Sequence, residues 1–183
     1  MATDHARHQT VIIETPHGDI TVALDAAAAP GTVANFLAHL DAGSYDSGFF
    51  HRVVTPDNQP NDTIRIEVIQ GGVDAAYPRE GGSPILLERT TVTGLLHVDG
   101  AISMARSTPD SAVSDFFICV GDQPELDFDG RRNPDGQGFA AFGHVTSGME
   151  IVRAIQHAPH EGQKLTPPVP ITRVRRAETG ATT

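Results

Sequence analysis

The 183-residue chain has no tryptophan and one cysteine, Cys119. A lone thiol cannot close an intramolecular disulfide, so the fold depends on its apolar core, and the composition suits a reducing compartment. No apolar stretch of the kind that directs secretion follows Met1 through Gln9. The longest apolar runs, such as Ile85-Leu86-Leu87, fall far short of the roughly 20 residues a membrane span needs. The chain therefore reads as cytoplasmic, without a membrane partner. Positive charge is scarce: 13 Lys and Arg against 23 Asp and Glu, a net charge of -10. That balance argues against nucleic acid as a partner. The basic cluster Arg173, Arg175 and Arg176 reads as a solvated strand end.

The usual catalytic and metal signatures are missing too. There is no His-x-x-x-His, Cys-x-x-Cys, Gly-x-Ser-x-Gly or phosphate-loop spacing. The nine histidines are scattered and read as surface residues; His5 and His8 could share a metal only in a flexible tail. Cys119 alternates within an apolar strand and reads as an inert, partly buried thiol. Asp57, Asp62, Asp127, Asp129 and Asp135 sit in loop sequence and read as turn residues. Neither a cofactor nor a metal is expected.

What is present points to many short strands. With 18 glycines and 13 prolines, the composition suits a β-rich fold with frequent turns. A chain of this length suits one domain. Residues 1–9 and 178–183 read as flexible tails around a single domain over 10–177. Val11 and Ile13, then Ile20, Val22 and Leu24, alternate on either side of His17-Gly18 and predict a hairpin. Val33, Phe36, Leu37 and Leu40 predict an amphipathic helix over 31–41, with Pro30 and Thr32 at its start and Gly43 past its end. Strands are predicted over 49–54, 64–70, 101–105, 115–120, 139–145 and 169–176. A turn-rich loop, 55–62, separates the second of these from the first. Ser147 and Glu150 form a capping-box pattern before a second helix over 148–156.

Against this background, Arg52 in Phe50-His51-Arg52-Val53-Val54 stands out. Taken alone it reads as a solvent-facing arginine on a strand. Yet five more segments follow or precede it in order: Thr32-Val33-Ala34-Asn35-Phe36, Val68-Ile69-Gln70-Gly71-Gly72, Gly100-Ala101-Ile102-Ser103-Met104-Ala105-Arg106, Ser114-Asp115-Phe116-Phe117-Ile118, and Leu126-Asp127 with Phe139-Ala140-Ala141-Phe142-Gly143. Together they resemble the cyclophilins over residues 10–176, and look closest to the bacterial branch.

The resemblance implies a mainly β fold, a closed eight-stranded antiparallel barrel capped by two α-helices, with the site on its outer face. It implies a peptidyl-prolyl cis-trans isomerase, acting as a monomer on proline-containing peptides and on unfolded or folding proteins. A cyclophilin-like peptide-binding or chaperone module with weak catalysis is the alternative. By resemblance, Arg52 is the catalytic arginine, Gln70 braces it, and Phe117 with Val68 and Leu126 forms the proline pocket. Ala105, Arg106 and Ser107 line the peptide groove, Phe139 takes the pocket rim, and His51 and Asp115 join the substrate-binding surface. Strand parity places Val68 with Gln70 on one face, and Asp115 with Phe117 on one face, while Phe116 and Ile118 point into the core. The chain departs from the family pattern in its longer 55–62 loop, and at Glu67, Asp115 and Glu125. If Asp115 faces Arg52, it would pair with and orient the guanidinium, or compete for its protons; Glu67 is expected to point away from the pocket, and Glu125 to stand at the groove rim.

Overall fold

The computed structural model describes residues 8–74 and 82–178. Most of the two expected tails lies outside that range, although β1 begins at His8, inside the expected N-terminal tail. In chain order the elements are β1 (His8–Thr15), β2 (Gly18–Asp25), α1 (Pro30–Asp41), β3 (Gly48–Val54), β4 (Val68–Gly72), α2 (Thr90–Thr93), β5 (Ala101–Met104) and β6 (Phe116–Cys119). A 3-10 turn (Pro124–Leu126), β7 (Ala141–Ser147), α3 (Met149–Gln156), β8 (His160–Glu161), β9 (Lys164–Ile171) and β10 (Arg173–Arg176) follow. None of the described helices is long and apolar enough to cross a membrane.

The strands form one antiparallel sheet in the order β10-β1-β2-β7-β5-β6-β4-β3-β9-β8. The fold is mainly β, as expected, but among the described residues the hydrogen-bonded order has ten strands and two ends where eight strands in a ring were expected. The last expected strand is divided at Thr172, so that β9 pairs with β3 while β10 pairs with β1. The expected 64–70 strand starts at Val68 because residues 64–67 follow the loop instead of the ladder.

Two apolar clusters occupy opposite faces of this sheet. The larger includes Val11, Ile13, Phe36, Tyr45, Phe50, Val53, Ile69, Phe116 and Ile118, together with residues of α1 and α3. Phe36 sits at its centre, 5.0 Å from the Tyr45 ring and 5.7 Å, edge-on, from Phe116. The smaller contains Val54, Ile66, Val68, Ala101, Phe117, Cys119 and Leu126, with Ala105 and Phe139 packed on it. Successive side chains of a strand point to opposite faces, so Phe116 and Ile118 serve one cluster and Phe117 and Cys119 the other.

β3 breaks that alternation. Its pairing with β4 runs Phe50 opposite Gly71 and then Arg52 opposite Gln70, so His51 is an extra, bulged residue. Simple parity would put Arg52 on the face of Phe50, in the main core. The bulge shifts the parity by one: Phe50 and Val53 face the main core, while Arg52 and Val54 face the smaller cluster.

The α3 start departs from its predicted capping box. The residue before the helix is Gly148 at φ 98°, and no side chain caps the helix. A Cβ there would stand 2.5 Å from the Asp19 carbonyl oxygen. A glycine is therefore needed both for the left-handed backbone and for the close approach to β2. Ser147→Ala is expected to change stability by less than about 0.5 kcal/mol, whereas Gly148→Ala should cost more than about 1 kcal/mol. Urea denaturation of both variants checks the pair; a larger loss for Ser147→Ala would restore the cap.

Candidate active site

The smaller cluster is not sealed. Above it opens a pocket of about 270 Å³ whose floor is apolar, with Ile66, Val68, Phe117 and Leu126, and whose rim is polar, with Arg52, Gln70, Arg106 and Arg132. Phe139 stands edge-on to Phe117 at 5.5 Å and closes one side. Its amide donates to the Leu126 carbonyl, which ties the rim to the 3-10 turn. A second pocket of about 230 Å³ adjoins the first, sharing Gln70, Ala105 and Arg106, and is continued by Ser107, Ser111, Ser114 and Asp115.

Arg52 is clamped from two sides. Its Nη1 donates to Gln70 Oε1 at 2.9 Å, across the β3–β4 pair. Its Nε and Nη2 both donate to Gln163 Oε1, at 2.9 and 2.7 Å. Burial, with the positive Arg132 nearby, holds the guanidinium below its ordinary pKa, and Asp62 pulls the other way. An arginine starts so high that it stays charged near neutral pH.

Arg106 is fastened just as firmly. Its side chain is 1% exposed, pairs with Asp135 at 2.8 Å and lies 4.7 Å above the Phe139 ring. It also donates to the Gly138 carbonyl. The hydrogen bond from Arg106 holds the Asp135 carboxyl below its usual range. Asp135, expected as a turn residue, thus braces Arg106, which lines both pockets.

The three unusual carboxylates separate. Glu67 points away from the pocket, as parity predicts, and accepts from Gln156 Nε2 on α3 at 3.1 Å. Ile66 lines the pocket in its stead. Asp115 faces His51, with Oδ2 3.4 Å from Nε2, and not Arg52. No ion pair joins Asp115 to Arg52; the guanidinium is held instead by Gln70 and Gln163. Glu125 is not among the pocket-lining residues. It binds Arg131, whose hydrogen bonds hold its carboxyl below the usual range.

The long 55–62 loop is built around Gln59, which is buried. Its amide donates to the Thr55 and Ile66 carbonyls, and its oxygen accepts from the Ile66 amide and from Arg132 Nη1. Arg132 also donates to the Ile64 carbonyl and pairs with Asp62 at 3.3 Å. Sequence reasoning missed Gln163, Ile66, Arg132 and Asn133, all at or beside the pocket. The signal available for Ile66 was its two-residue spacing from Val68.

Behind the pocket wall lies a trio of two buried residues, His97 and Ser103, and the half-buried Asp127. His97 stacks on Phe117, 5.9 Å between rings and 16° between planes. His97 Nδ1 is 2.7 Å from Asp127 Oδ1, and Nε2 is 2.9 Å from Ser103 Oγ. The expectation of surface histidines fails here, because this one is 1% exposed. Nδ1 donates to the carboxylate, which leaves Nε2 to the serine hydroxyl. The order Asp–His–Ser resembles a hydrolase triad, but Ser103 is 0% exposed and lines neither pocket. The trio instead holds the wall that carries Phe117 and Leu126. Cys119 beside it is fully buried, and burial pushes its thiol pKa up. Among the described residues, no group of three His, Cys, Asp or Glu could hold a metal ion.

Comparison with known proteins gives consistent results. A family model described as cyclophilin type peptidyl-prolyl cis-trans isomerase/CLD matches residues 10–176. Peptidyl-prolyl cis-trans isomerase cyp18 of Streptomyces antibioticus is 35% identical over 148 residues, covering 80% of this chain and 82% of the relative. Peptidyl-prolyl cis-trans isomerase B of Escherichia coli is 33% identical over 147 residues, covering 80% and 83%. A crystal structure of a Cryptosporidium parvum cyclophilin in the presence of the dipeptide Ala-Pro superposes with a TM-score of 0.74 at 24% identity, covering 93% of this chain and all of that one.

His97→Leu should leave the Asp127 and Ser103 side chains without their shared partner and cost about 2–3 kcal/mol in urea unfolding. A change below about 0.5 kcal/mol would mean the trio does not support the wall.

Proposed function

This chain belongs to the cyclophilin-type peptidyl-prolyl cis-trans isomerases, and we propose that Arg52 is the group through which it lowers the barrier to X-Pro rotation. The barrier is amide resonance, about 18–20 kcal/mol. Uncatalysed exchange takes tens to hundreds of seconds. A turnover of roughly a thousand per second requires about 7 kcal/mol to be removed, at about 1.4 per tenfold. No bond breaks, so the task is to stabilise the twisted amide over both planar forms.

A twisted amide localises a lone pair on the prolyl nitrogen. A guanidinium has five N–H groups; in Arg52 one each on Nε, Nη1 and Nη2 is engaged by Gln163 and Gln70, which leaves two for a substrate. The observation that carries the reading is this arrangement: a charged donor, fixed in plane, at the mouth of a pocket floored by Val68, Phe117 and Leu126. The floor suits a proline ring, and the ring stays seated while the rest of the chain turns. The catalytic power comes from a preorganised charge together with positioning. In this reading Ala105, Arg106, Ser107 and Phe139 border the peptide groove, with Asp115 lining the adjoining pocket and His51 beside Asp115, outside both pockets. Proline-containing peptides and folding chains are the substrates; the Ala-Pro dipeptide of the superposed cyclophilin supports that choice.

A closed barrel belongs to the same reading. β9 and β10 are separated only by Thr172 and bond to β3 and β1, so one bent strand touches both sides of the sheet. Counted as one, they make an eighth strand beside β1 to β7. The alternative, a binding module with weak catalysis, drew its weight from Glu67 and Asp115. Their carboxylates engage Gln156 and His51 instead of Arg52.

A protease-coupled assay on an X-Pro peptide tests the assignment. Arg52→Ala should lower kcat/KM about a hundredfold with the fold intact, and Arg52→Lys should rescue poorly, since an ammonium cannot replace a planar fork. Equal rates for all three proteins would overturn the assignment. Asp115→Gln should leave kcat/KM within about tenfold.

A further inference from the structure

We propose that Gln163 is a positioning residue for Arg52, and that the 55–62 loop sets the orientation of Gln163 through Asn58. The inference rests on the reading of Arg52 given above. Gln163 lies between β8 and β9, in sequence that reads as an ordinary turn, Glu161-Gly162-Gln163-Lys164. It reaches Arg52 through a slip in register. β9 pairs Val169 with Phe50, so an unbroken ladder would bring Pro167 opposite Arg52; the partner found is Lys164. The slip puts the Gln163 carbonyl on the Val53 amide, at 2.9 Å, and its side chain on the guanidinium.

One hydrogen bond fixes a direction, but bonds on two edges fix a plane. Gln70 takes an Nη1 proton, and Gln163 Oε1 takes the Nε–Nη2 edge. The glutamine must present its oxygen, since its NH₂ group would face two donors. That choice is locked by Gln163 Nε2, which donates to the Asn58 carbonyl at 3.1 Å. Asn58 is itself pinned. Its Oδ1 accepts from the Thr55 amide, and its Nδ2 donates to the Val53 and Gly162 carbonyls, at 2.8, 3.0 and 3.1 Å. The longer loop is therefore wired to the catalytic arginine through one amide.

The test compares wild type with Gln163→Met, which keeps the bulk and removes the acceptor, and Gln163→Glu, which keeps the acceptor. Arg52→Ala and the double variant Arg52→Ala/Gln163→Met complete the cycle. kcat and KM for an X-Pro peptide are measured separately, with melting temperature and the exchange protection of the Arg52 Nε–H proton by NMR. Gln163→Met should lower kcat roughly tenfold with KM within about twofold, and expose the Nε–H proton to exchange. Gln163→Glu should restore that protection but leave kcat below wild type, because a carboxylate has no proton for the Asn58 carbonyl and neutralises the guanidinium it holds. In the Arg52→Ala background, Gln163→Met should change kcat by less than about twofold. An unchanged kcat for Gln163→Met beside a crippled Arg52→Ala would overturn the role of Gln163 and leave that of Arg52 standing. Multiplying losses in the double variant would equally overturn it, since Gln163 would then act independently. A fully active Arg52→Ala would overturn the reading of Arg52 and this inference with it. If Gln163→Met does not fold, Gln163→Ser is measured by the same criteria.

Discussion

An arginine on a strand that also lines a hydrophobic core must be turned outward, and the bulge at His51 does this. With one residue more on β3 than on its partner, Phe50 and Val53 stay in the main core while Arg52 joins Gln70 and Val54 on the other face. Without the extra residue, a guanidinium would be driven into a cluster of Phe36, Tyr45 and Phe116, where an unpaired charge is very costly. The pocket, its donor and the core behind it all depend on this parity shift. The same logic divides β6, whose alternate residues build the core and the pocket floor.

Every cation at the pocket has its own restraint. Arg52 has two glutamines, Arg106 has Asp135 and the Phe139 ring, and Arg132 has Gln59 and Asp62. Amides do much of this holding. A neutral carbonyl oxygen fixes a guanidinium without cancelling its charge, whereas a carboxylate would neutralise it. The acidic groups near the groove are directed elsewhere, Asp115 to His51 and Glu67 to Gln156. An acidic chain thereby keeps a positively charged edge on an apolar pocket.

Much of this could be read from the sequence, since it rests on local pattern. The i, i+3, i+4, i+7 spacing from Val33 to Leu40 gave α1, and the alternation around Phe116 gave both faces of β6. Arg52, Gln70, Val68, Phe117, Leu126 and Phe139 meet at one pocket because short segments in a fixed order carry them. What escaped was set by contacts distant in sequence. Gln163 lies 111 residues from Arg52, and only a register slip unites them. Asp115 was weighed as a partner for Arg52 because the competing partner could not be seen. His97 looked like any of nine histidines until Asp127, 30 residues on, closed over it. The cap at Ser147 failed because the backbone at Gly148 turns left-handed, which no side-chain pattern announces.

Cys119 follows from the same division of faces. It sits at the foot of the pocket wall, wholly covered, with its thiol far from ionisation at neutral pH. Only a thiolate reacts readily with maleimides, iodoacetamides or peroxide. The chain is thus chemically blank toward thiol reagents as it stands. A cysteine placed at any exposed position would be the sole attachment point for a fluorophore or spin label, and the groove could be followed by spectroscopy without first removing a native residue.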